Sequence, residues 1–445
     1  MCTTLHFDAA TADEEFFLSL PARPAVFALR PAQAGAEPYV SKTANLRRRL
    51  QRLLGSATNS ATNKGSANNG PASDGATNPE VTITGVTKRL SLRGRVASIE
   101  YKLVGGDFEA GFVLYQWLRR EFPAKYSERL HLRAAPLVHM HSENRYPRLS
   151  VTSRIRSLKG GHYYGPFATR AEADEYANSS LDFFLLRRCT EELAPDPKFP
   201  GCVYSEMKMC LAPCFKGCTD ERYADESTRV EQYLATSGHS LLVEIGRLRD
   251  EASARLEFEA AAAEHARLEK LKAVRQRVAE IVRRLDQLDG LLLQPSHLEG
   301  HITLIAISGG MLCQPVEFDV QPRATMAEHS HDAVATHVAR ATVPQSMEAR
   351  LRMALAAVQP ARPRSATEWM EHLALLKRWY YRTSKVGEVF FAEPTGDAAR
   401  PVGEALPYRR VVRAVGRVFR GEKPAADLSE TAGDYWAFRA KEAGL

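Results

Sequence analysis

Residues 20–54 read LPARPAVFALRPAQAGAEPYVSKTANLRRRLQRLL, and this stretch holds two short apolar runs followed by a helical pattern of leucines and arginines. The runs AVFAL and PYVS are separated by a turn rich in Gly, Ala and Pro, a pattern typical of a β-hairpin. Asn45 can cap the following helix, because its side-chain oxygen can accept a hydrogen bond from an unpaired N–H group of the first turn. The stretch therefore predicts a hairpin followed by a helix.

Downstream of this stretch, strand and helix patterns continue. Residues 55–80 are rich in Gly, Ser, Ala and Asn and lack core-forming residues, which predicts a disordered insertion. RVASIEYKLV is typical of a strand, and FEAGFVLYQWLRREF places Phe112, Tyr115 and Leu118 on one helical face. We expect a small mixed α/β domain over residues 18–130, within a protein of the α+β class.

The composition favours a nucleic acid as partner and gives no sign of a membrane protein. The chain has 445 residues with a net charge of +7, which suits a polyanion, although charge alone does not identify one. No apolar run reaches the ~20 residues of a membrane helix. The N-terminus lacks the basic start and apolar stretch of a secretory signal. We therefore expect a cytoplasmic protein.

Five of the seven cysteines fall within thirty residues. Cys189, Cys202, Cys210 and Cys214 have gaps of 12, 7 and 3 residues, and Cys218 follows four positions later. In a reducing compartment, thiols clustered in this way more often bind metal than form disulfides. We expect residues 131–219 to form a linker and a Cys-rich, metal-binding segment.

The remaining chain divides into a helical part and a mixed part. Over residues 220–288 the pattern is almost wholly helical, and apolar residues from Leu271 to Leu288 repeat at the spacing of a coiled coil. This predicts an antiparallel helical hairpin. Residues 289–445 predict a mixed α/β region, in which ITLIAISGGMLCQPVEFDV is typical of two strands joined at a Gly-Gly turn.

Three ordered features resemble the UvrC family, the nuclease subunit of bacterial nucleotide excision repair. AVF (25–27) and YVS (39–41) resemble the two tripeptides of its GIY-YIG nuclease domain. YPRLSVTSR (146–154) and YYGPF (163–167) resemble the segments that follow that domain. RLEFEAAAAEHARLEKL (255–271) is similar to the UVR motif, a helical hairpin that docks onto UvrB. The resemblance covers roughly residues 18–290.

The resemblance implies a metal-dependent phosphodiester hydrolysis whose residues are only partly kept here. Tyr39, Lys42 and Arg49 match the second tyrosine, the lysine after it and the arginine of the following helix. The first tyrosine, which helps to deprotonate the attacking water in the family, is Phe27. The tripeptide glycines are replaced by Ala25 and Ser41.

The position of the family's metal-binding glutamate is also changed. Counting back from Tyr126-Ser127, where the family has Tyr-Asn, gives Tyr115, and a slip of one residue gives Gln116. Neither side chain is a carboxylate, so neither suits Mg²⁺ or Mn²⁺. If the helix register differs, a carboxylate can come instead from one of three residues: Asp107, Glu109 or Glu121. Mg²⁺ or Mn²⁺ is expected only if the nuclease site is active.

The other expected sites also follow from the resemblance. Its cysteines, Cys189, Cys202, Cys210 and Cys214 here, are understood to hold a [4Fe–4S] cluster. Zinc is the alternative cofactor, and Cys218 could replace Cys214 as a ligand. The DNA-contacting residues expected are Lys42, Arg47, Arg48 and Arg49. The residues expected to bind a UvrB-like helicase subunit are Leu256, Phe258, Ala262 and Leu268.

Three functions remain open at this level. The first is a DNA-binding accessory protein of excision repair that recruits a UvrB-type partner without cutting DNA. The second is an active endonuclease like Cho, the stand-alone UvrC homologue that contains only the GIY-YIG half. The architecture resembles that of Cho, because no counterpart of the RNase H-like domain or helix-hairpin-helix tandem of UvrC is recognised here. The changed residues Phe27 and Tyr115 nevertheless rank the accessory function first. The third is a module that only sequesters UvrB.

Overall fold

The computed structural model describes residues 2–12, 14–33, 35–55, 92–156, 158, 162–321, 346–393 and 402–422. The chain divides into two compact units, Met1–Leu130 and His131–Leu445. Both combine helices with antiparallel sheets, which confirms the predicted α+β class. The predicted insertion over residues 55–80 lies, apart from its first residue, outside the described residues. Within those residues, no helix is long and apolar enough to cross a membrane.

The first unit is built on a four-stranded antiparallel sheet with the order β1-β4-β2-β3. Its strands are β1 (Thr3–His6), β2 (Ala25–Pro31), β3 (Tyr39–Thr43) and β4 (Val96–Leu103). Its helices are α1 (Glu14–Ser19), α2 (Leu46–Leu54), α3 (Asp107–Glu121) and α4 (Tyr126–Leu130). The predicted hairpin is confirmed as β2 and β3, in which Phe27 pairs with Ser41. Strand β1 also belongs to this sheet, since it pairs with β4, and it precedes the predicted domain start at residue 18.

Strand β2 is buried on both faces because helices cover the sheet on each side. Phe27 packs in one cluster with Leu50 of α2. Val26 and Ala28, which point to the opposite face, pack in another cluster with Val113 of α3. A strand covered on both faces reads as a continuous apolar run, which explains the uninterrupted AVFAL.

Helix α2 begins at the predicted cap. The side chain of Asn45 accepts a hydrogen bond from the backbone N–H of Arg48 at 3.0 Å. The leucines of this helix form a buried stripe: Leu46, Leu50, Leu53 and Leu54. The arginines therefore occupy the remaining faces of the helix, and one of those faces turns toward the edge strand β3.

The second unit contains two antiparallel sheets. The first has the order β6-β5-β7-β8, with strands β5 (Leu137–Met140), β6 (Leu149–Thr152), β7 (His162–Gly165) and β8 (Arg283–Arg284). The second has the order β11-β10-β9-β13, with β12 paired to β10. Its strands are β9 (Gly290–Pro295), β10 (His301–Ser308), β11 (Met311–Leu312), β12 (Val316–Asp319) and β13 (Glu388–Phe391).

Helices α5 to α9 lie between β7 and β8 of the first sheet in chain order, and helices α10 to α12 follow β12 of the second. The first set is α5 (Arg170–Leu181), α6 (Val203–Glu206), α7 (Asp220–Ala235), α8 (His239–Ala254) and α9 (Phe258–Gln276). The second set is α10 (Met347–Ala356), α11 (Ala366–Tyr380) and α12 (Tyr408–Arg420). The Cys-rich segment lies between α5 and α7.

The predicted helical hairpin exists as α8 and α9, but the prediction of helix through Leu288 is wrong. Helix α9 ends at Gln276. Ile281, Leu285 and Leu288 are fully or almost fully buried beyond this end, around the short strand β8 and a 3₁₀ turn. Apolar residues buried in a sheet core can repeat at helical spacing by chance, and periodicity alone cannot separate the two cases.

The predicted Gly-Gly hairpin in the last part of the chain is confirmed. Strands β10 and β11 pair antiparallel on either side of Gly309 and Gly310, which have φ of +54° and +74°. These values favour glycine because a Cβ atom is strained there. A Cβ atom on Gly310 would also lie 3.1 Å from Leu373 and 3.2 Å from Trp369 of α11. The turn therefore needs glycine for both conformation and space.

Candidate functional site

A shallow cleft runs along the edge strand β3 in the first unit. It has a volume of about 490 Å³ and is lined by residues of β3 and its preceding turn, of α3 and of α4: Glu37, Pro38, Tyr39, Val40, Ser41, Lys42, Leu114, Leu118 and Arg129. Because β3 is at the edge of the sheet, side chains from both of its faces reach this cleft. Two of the predicted catalytic remnants, Tyr39 and Lys42, therefore border one cavity.

The third remnant, Arg49, is joined to Tyr39. The guanidinium of Arg49 donates a hydrogen bond from Nη2 to the Tyr39 hydroxyl at 2.9 Å. This contact connects α2 with β3 and holds the phenol in one orientation.

Phe27 contributes no polar group to the cleft. Its side chain is fully buried between the sheet and α2. Its ring centroid lies 6.1 Å from that of Tyr39. A phenyl ring at this position can stabilise the core, but it cannot accept or donate a proton. The general base implied by the family resemblance has no counterpart in this side chain.

Helix α3 turns an apolar side toward the cleft. Leu114 and Leu118, which are one turn apart, line it. Tyr115 is buried, stacks on Phe112 with ring centroids 6.4 Å apart, and accepts a hydrogen bond from Arg119 at 2.9 Å. The position expected to replace the metal-binding glutamate is thus part of the core.

The three alternative carboxylates make different contacts. Asp107 accepts a hydrogen bond from Nζ of Lys42 at 2.5 Å, at the start of α3. Glu109 is buried and accepts a hydrogen bond from the backbone N–H of Gly105 at 2.8 Å. Asp107 is thus bound to a residue that lines the cleft, and its charge is compensated by the lysine.

Glu121 belongs to an ion-pair network at the other end of α3. Two nitrogens of Arg30 contact its carboxylate at 2.6 and 2.9 Å, and Arg30 also binds Glu100 at 2.7 Å. The hydrogen bond from Arg30 is the main cause that lowers the pKa of Glu121. This carboxylate is therefore engaged in holding α3 to the sheet.

An acidic residue that the sequence reasoning did not single out lies at the mouth of the cleft. Glu37 accepts a hydrogen bond from Arg129 of α4 at 2.5 Å, and Lys125 lies 3.8 Å from its other oxygen. Its position before the edge strand was a possible signal, but a single glutamate in a turn is common on any surface. Here it lines the cleft and forms an ion pair with Arg129, which also lines it.

The expected DNA-contacting arginines of α2 divide into two groups. Arg47 donates from Nε to the backbone carbonyl of Leu20 at 2.8 Å, and Arg49 is bound to Tyr39. Arg48 is exposed, and Arg52, one turn later, is exposed as well. The outward charge of α2 therefore comes from Arg48 and Arg52, and the sequence prediction omitted the second of these.

The Cys-rich segment brings four thiols into one neighbourhood. Burial raises the pKa of Cys210, and the thiols of Cys202, Cys214 and Cys189 raise it further. Burial also raises the pKa of Cys214, with contributions from Cys202 and Cys189. Burial also raises the pKa of Cys218, and Cys214 is the one other cysteine that contributes to this increase. The fold therefore groups the four cysteines that were predicted as ligands.

The spacing of these thiols bears on the choice of metal. Four sulfur ligands of a tetrahedral zinc ion lie about 3.8 Å apart, because each Zn–S bond is about 2.3 Å. Among the described residues, no three cysteine sulfurs lie within 4.8 Å of one another. A [4Fe–4S] cubane is wider, because each thiolate binds a different iron atom. The two cofactors therefore differ in the sulfur spacing that they require.

Positive charge and backbone turns support this thiol group. Arg187 is buried, and its guanidinium lies 3.5 Å from the sulfur of Cys189 while donating to the backbone carbonyl of Glu191 at 2.7 Å. Positive φ values occur at three non-glycine residues of the segment, Lys208, Ala212 and Lys216. Such residues turn the chain sharply. A metal that joined the four sulfurs would add cross-links to backbone contacts such as the hydrogen bond from the N–H of Asp196 to the carbonyl of Cys214 at 2.9 Å.

The tip of the α8–α9 hairpin presents two large apolar side chains to solvent. Leu256 and Phe258 are 71% and 68% exposed. Ala262, one turn beyond Phe258, is exposed as well. Leu268 is only 4% exposed, so its expected contact with a partner is wrong. It lies on the side of α9 that packs inside the unit.

Comparison with known proteins matches the part of the chain that contains the Cys-rich segment. Residues 135–234 match the UvrC/Cho excinuclease middle domain. UvrABC system protein C of Rickettsia africae (strain ESF-5) is 28% identical over 202 residues, or 45% of this chain and 31% of that protein. The same protein of Pseudomonas aeruginosa (strain LESB58) is 30% identical over 176 residues, or 39% and 28%. The chain thus spans about a third of the length of these curated relatives. No solved structure matches it.

Proposed function

The chain belongs to the UvrC family, and from this premise we propose that it works in nucleotide excision repair. In this proposal it binds DNA and a UvrB-type partner but does not cut DNA. The first unit supplies a phosphate-binding surface, the Cys-rich segment holds a cofactor, and the hairpin tip docks the partner.

The observation that carries the proposal is the chemistry of the cleft. Leu114 and Leu118 face it from α3, and Phe27 is sealed in the core behind it. General acid–base and electrostatic contributions are each worth roughly 10²–10⁴-fold in rate. A site that has Phe27 in place of the base, and Tyr115 in place of the expected metal-binding glutamate, would lose both kinds of contribution together. Tyr39, Lys42 and Arg49 remain able to contact a phosphate.

The UvrB-type partner is supported by the hairpin tip. Leu256 and Phe258 are large, apolar and exposed within two positions of each other. Aromatic anchors beside small residues let a partner helix approach closely. The alanines that follow Phe258 provide such a surface, because Ala260, Ala262 and Ala263 are all exposed.

A [4Fe–4S] cluster is the proposed cofactor. Cys189, Cys202, Cys210 and Cys214 would hold it, and zinc remains the alternative. When bound, the cluster would supply a four-point cross-link for a segment with little regular structure. The positive charge of Arg187 would stabilise the negative charge of these thiolates, because its guanidinium lies beside Cys189.

DNA binding through α2 gives a testable expectation. Replacing Arg48 and Arg52 together by alanine should weaken DNA binding and reduce the slope of log affinity against log salt by about 1.8, since each phosphate contact contributes about 0.9. Fluorescence anisotropy with a labelled duplex at several salt concentrations measures this slope. Gln51→Ala, an exposed change on the same helix, is the uncharged control. An unchanged slope in the double variant would exclude this face.

An active Cho-like endonuclease is a second candidate, favoured by one contact. Asp107 places a carboxylate against Lys42 at the cleft, and carboxylate oxygens are the ligands that Mg²⁺ prefers. If Asp107 binds Mg²⁺ or Mn²⁺ in place of Lys42, the site could cut without a glutamate at position 115. A module that only sequesters UvrB would differ from both candidates, because it would not bind DNA and would show no dependence of DNA affinity on salt concentration.

A further inference from the structure

We propose that His139, His141 and Glu143 form a binding site for a divalent transition metal ion of the zinc class. These residues lie at the end of β5 and in the following turn, within the second unit. One donor atom from each lies within 4.8 Å of the other two. None of them belongs to the Cys-rich segment or to the cleft of the first unit.

The sheet fixes both imidazole rings. His139 lies on β5 opposite Ser150 of β6 and Tyr163 of β7. Its ring stacks on the Tyr163 ring with centroids 4.1 Å apart and planes 6° from parallel. The His141 ring lies beside it, with a centroid separation of 3.9 Å. Two rings held in this way offer nitrogens to a common point without a large loss of side-chain freedom.

A buried nitrogen without a partner supports the site independently. His139 is 93% buried, since its exposed fraction is 7%, and its Nε2 atom has no hydrogen-bond partner among the described residues. Such orphaned polar atoms are uncommon in folded proteins, because burying a polar atom without a hydrogen bond destabilises the fold. A neutral imidazole can offer a lone pair to a metal ion.

His141 and Glu143 complete the donor set. Nε2 of His141 lies 2.8 Å from the Ser150 hydroxyl, which leaves Nδ1 for a ligand. Nδ1 lies 3.4 Å from a carboxylate oxygen of Glu143. Two ligands of a tetrahedral ion with bonds of about 2.1 Å lie about 3.4 Å apart. The serine would act as the outer partner that orients a metal-binding imidazole.

The turn that carries Glu143 is closed by backbone hydrogen bonds. The N–H of His141 donates to the carbonyl of Arg148 at 2.9 Å, and that of Asn144 donates to the carbonyl of His141 at 3.2 Å. A metal ion would join this turn to the centre of the sheet. Two histidines and one glutamate are a recurring ligand set for catalytic zinc, which keeps its fourth position for water or another group.

The nearby arginines set the charge of the site. Arg148 and Arg156 both act electrostatically on His139 and His141, and they oppose the binding of a cation, whereas Glu143 favours it. Two neutral histidines and one carboxylate bring one negative charge to a divalent ion. The positive surroundings therefore favour an anionic group, such as hydroxide or phosphate, at the fourth position.

The test is zinc stoichiometry of the full chain, measured by competition with a chromophoric chelator. His141→Gln and Glu143→Gln change a half-buried and an exposed side chain, so both variants should fold. Each should bind one zinc equivalent fewer than the unchanged protein, and Ser150→Ala should lower the affinity about 10-fold. His265→Gln and Glu128→Gln, which alter exposed residues elsewhere, should bind as the unchanged protein does. Equal stoichiometry in all forms would overturn the proposal.

Cobalt(II) separates this site from the cysteines. Thiolate-bound cobalt gives intense near-ultraviolet charge-transfer absorption, whereas a site of nitrogen and oxygen ligands gives only weak visible bands. In His141→Gln the visible absorption should fall by the contribution of the nitrogen and oxygen site, while the near-ultraviolet and visible bands of thiolate-bound cobalt should remain. If the visible bands of His141→Gln equal those of the unchanged protein, the metal is not bound by these residues. This result is independent of whether the chain acts in excision repair.

Discussion

Replacing Leu256 and Phe258 together by alanine is expected to weaken binding of a UvrB-type partner by about 100-fold or more. Truncating a large anchor residue at an interface commonly weakens the binding free energy by about 2 kcal/mol or more. Every 1.4 kcal/mol of binding free energy is a tenfold change in affinity. Both side chains are about 70% exposed in this chain, so the change should alter the free energy of unfolding by only about 0.5 kcal/mol. Isothermal titration calorimetry against the partner measures the affinity.

The matched control for this prediction is Val243→Ala. Val243 is 54% exposed, but it lies near the start of α8, at the opposite end of that helix from the tip. It should therefore bind the partner as the unchanged protein does. If the double variant keeps the same affinity while Val243→Ala loses it, docking occurs along the base of the hairpin. That outcome would exclude the tip as the docking surface.

Cys214→Ser should abolish the [4Fe–4S] cluster, whereas Cys218→Ser should keep it. Cys214 interacts with Cys202 and Cys189, and Cys218 has only Cys214 as a cysteine neighbour. Because four thiolates complete the cluster, loss of one true ligand should also loosen the segment between α5 and α7. Anaerobic purification followed by iron and sulfide analysis gives the cluster content, and limited proteolysis reports the loosening.

Two results would change the assignment of these ligands. Full iron content in Cys214→Ser, combined with loss of iron in Cys218→Ser, would make Cys218 the fourth ligand. One tightly bound zinc ion and no iron in the unchanged protein would favour the zinc alternative. In the second case, the sulfurs must move closer together than they are here, because no three lie within 4.8 Å among the described residues.

Local signals predicted several elements correctly. The cap at Asn45, the leucine stripe of α2 and the Gly309-Gly310 turn are determined by neighbours a few positions away, and the structure contains all three. The end of α9 was not predictable in this way. Leu285 and Leu288 continue the helical spacing, but they are buried beyond the end of the helix, in and next to a 3₁₀ turn. Tertiary packing overrides periodicity in such cases.

The candidate site shows the same limit. Motif spacing identified Tyr39, Lys42 and Arg49, and the structure brings Arg49 into contact with Tyr39. Counting along the motif gives Tyr115, or Gln116 with a slip of one residue, but it does not show that Leu114 and Leu118 are the residues of α3 that line the cleft. The orientation depends on how the helix packs on the sheet, which no short motif encodes.

The His139 site was missed for a related reason. His139, His141 and Glu143 are two residues apart in sequence, a spacing that places alternate residues on one face of a strand. This spacing was a usable signal, but two histidines in a strand are common. Their burial, the stacking on Tyr163 and the unpaired Nε2 atom become visible only in the fold.

The most direct test of the central proposal, binding without cutting, is incision of a lesion-bearing duplex. Anaerobically purified protein, a UvrB-type partner and Mg²⁺ or Mn²⁺ are combined, and binding and strand cleavage are followed on the same labelled DNA. We predict a stable DNA complex and no nick above background, in the unchanged protein and in Asp107→Asn alike. A metal-dependent nick that disappears in Asp107→Asn would contradict the proposal and make this chain an active nuclease.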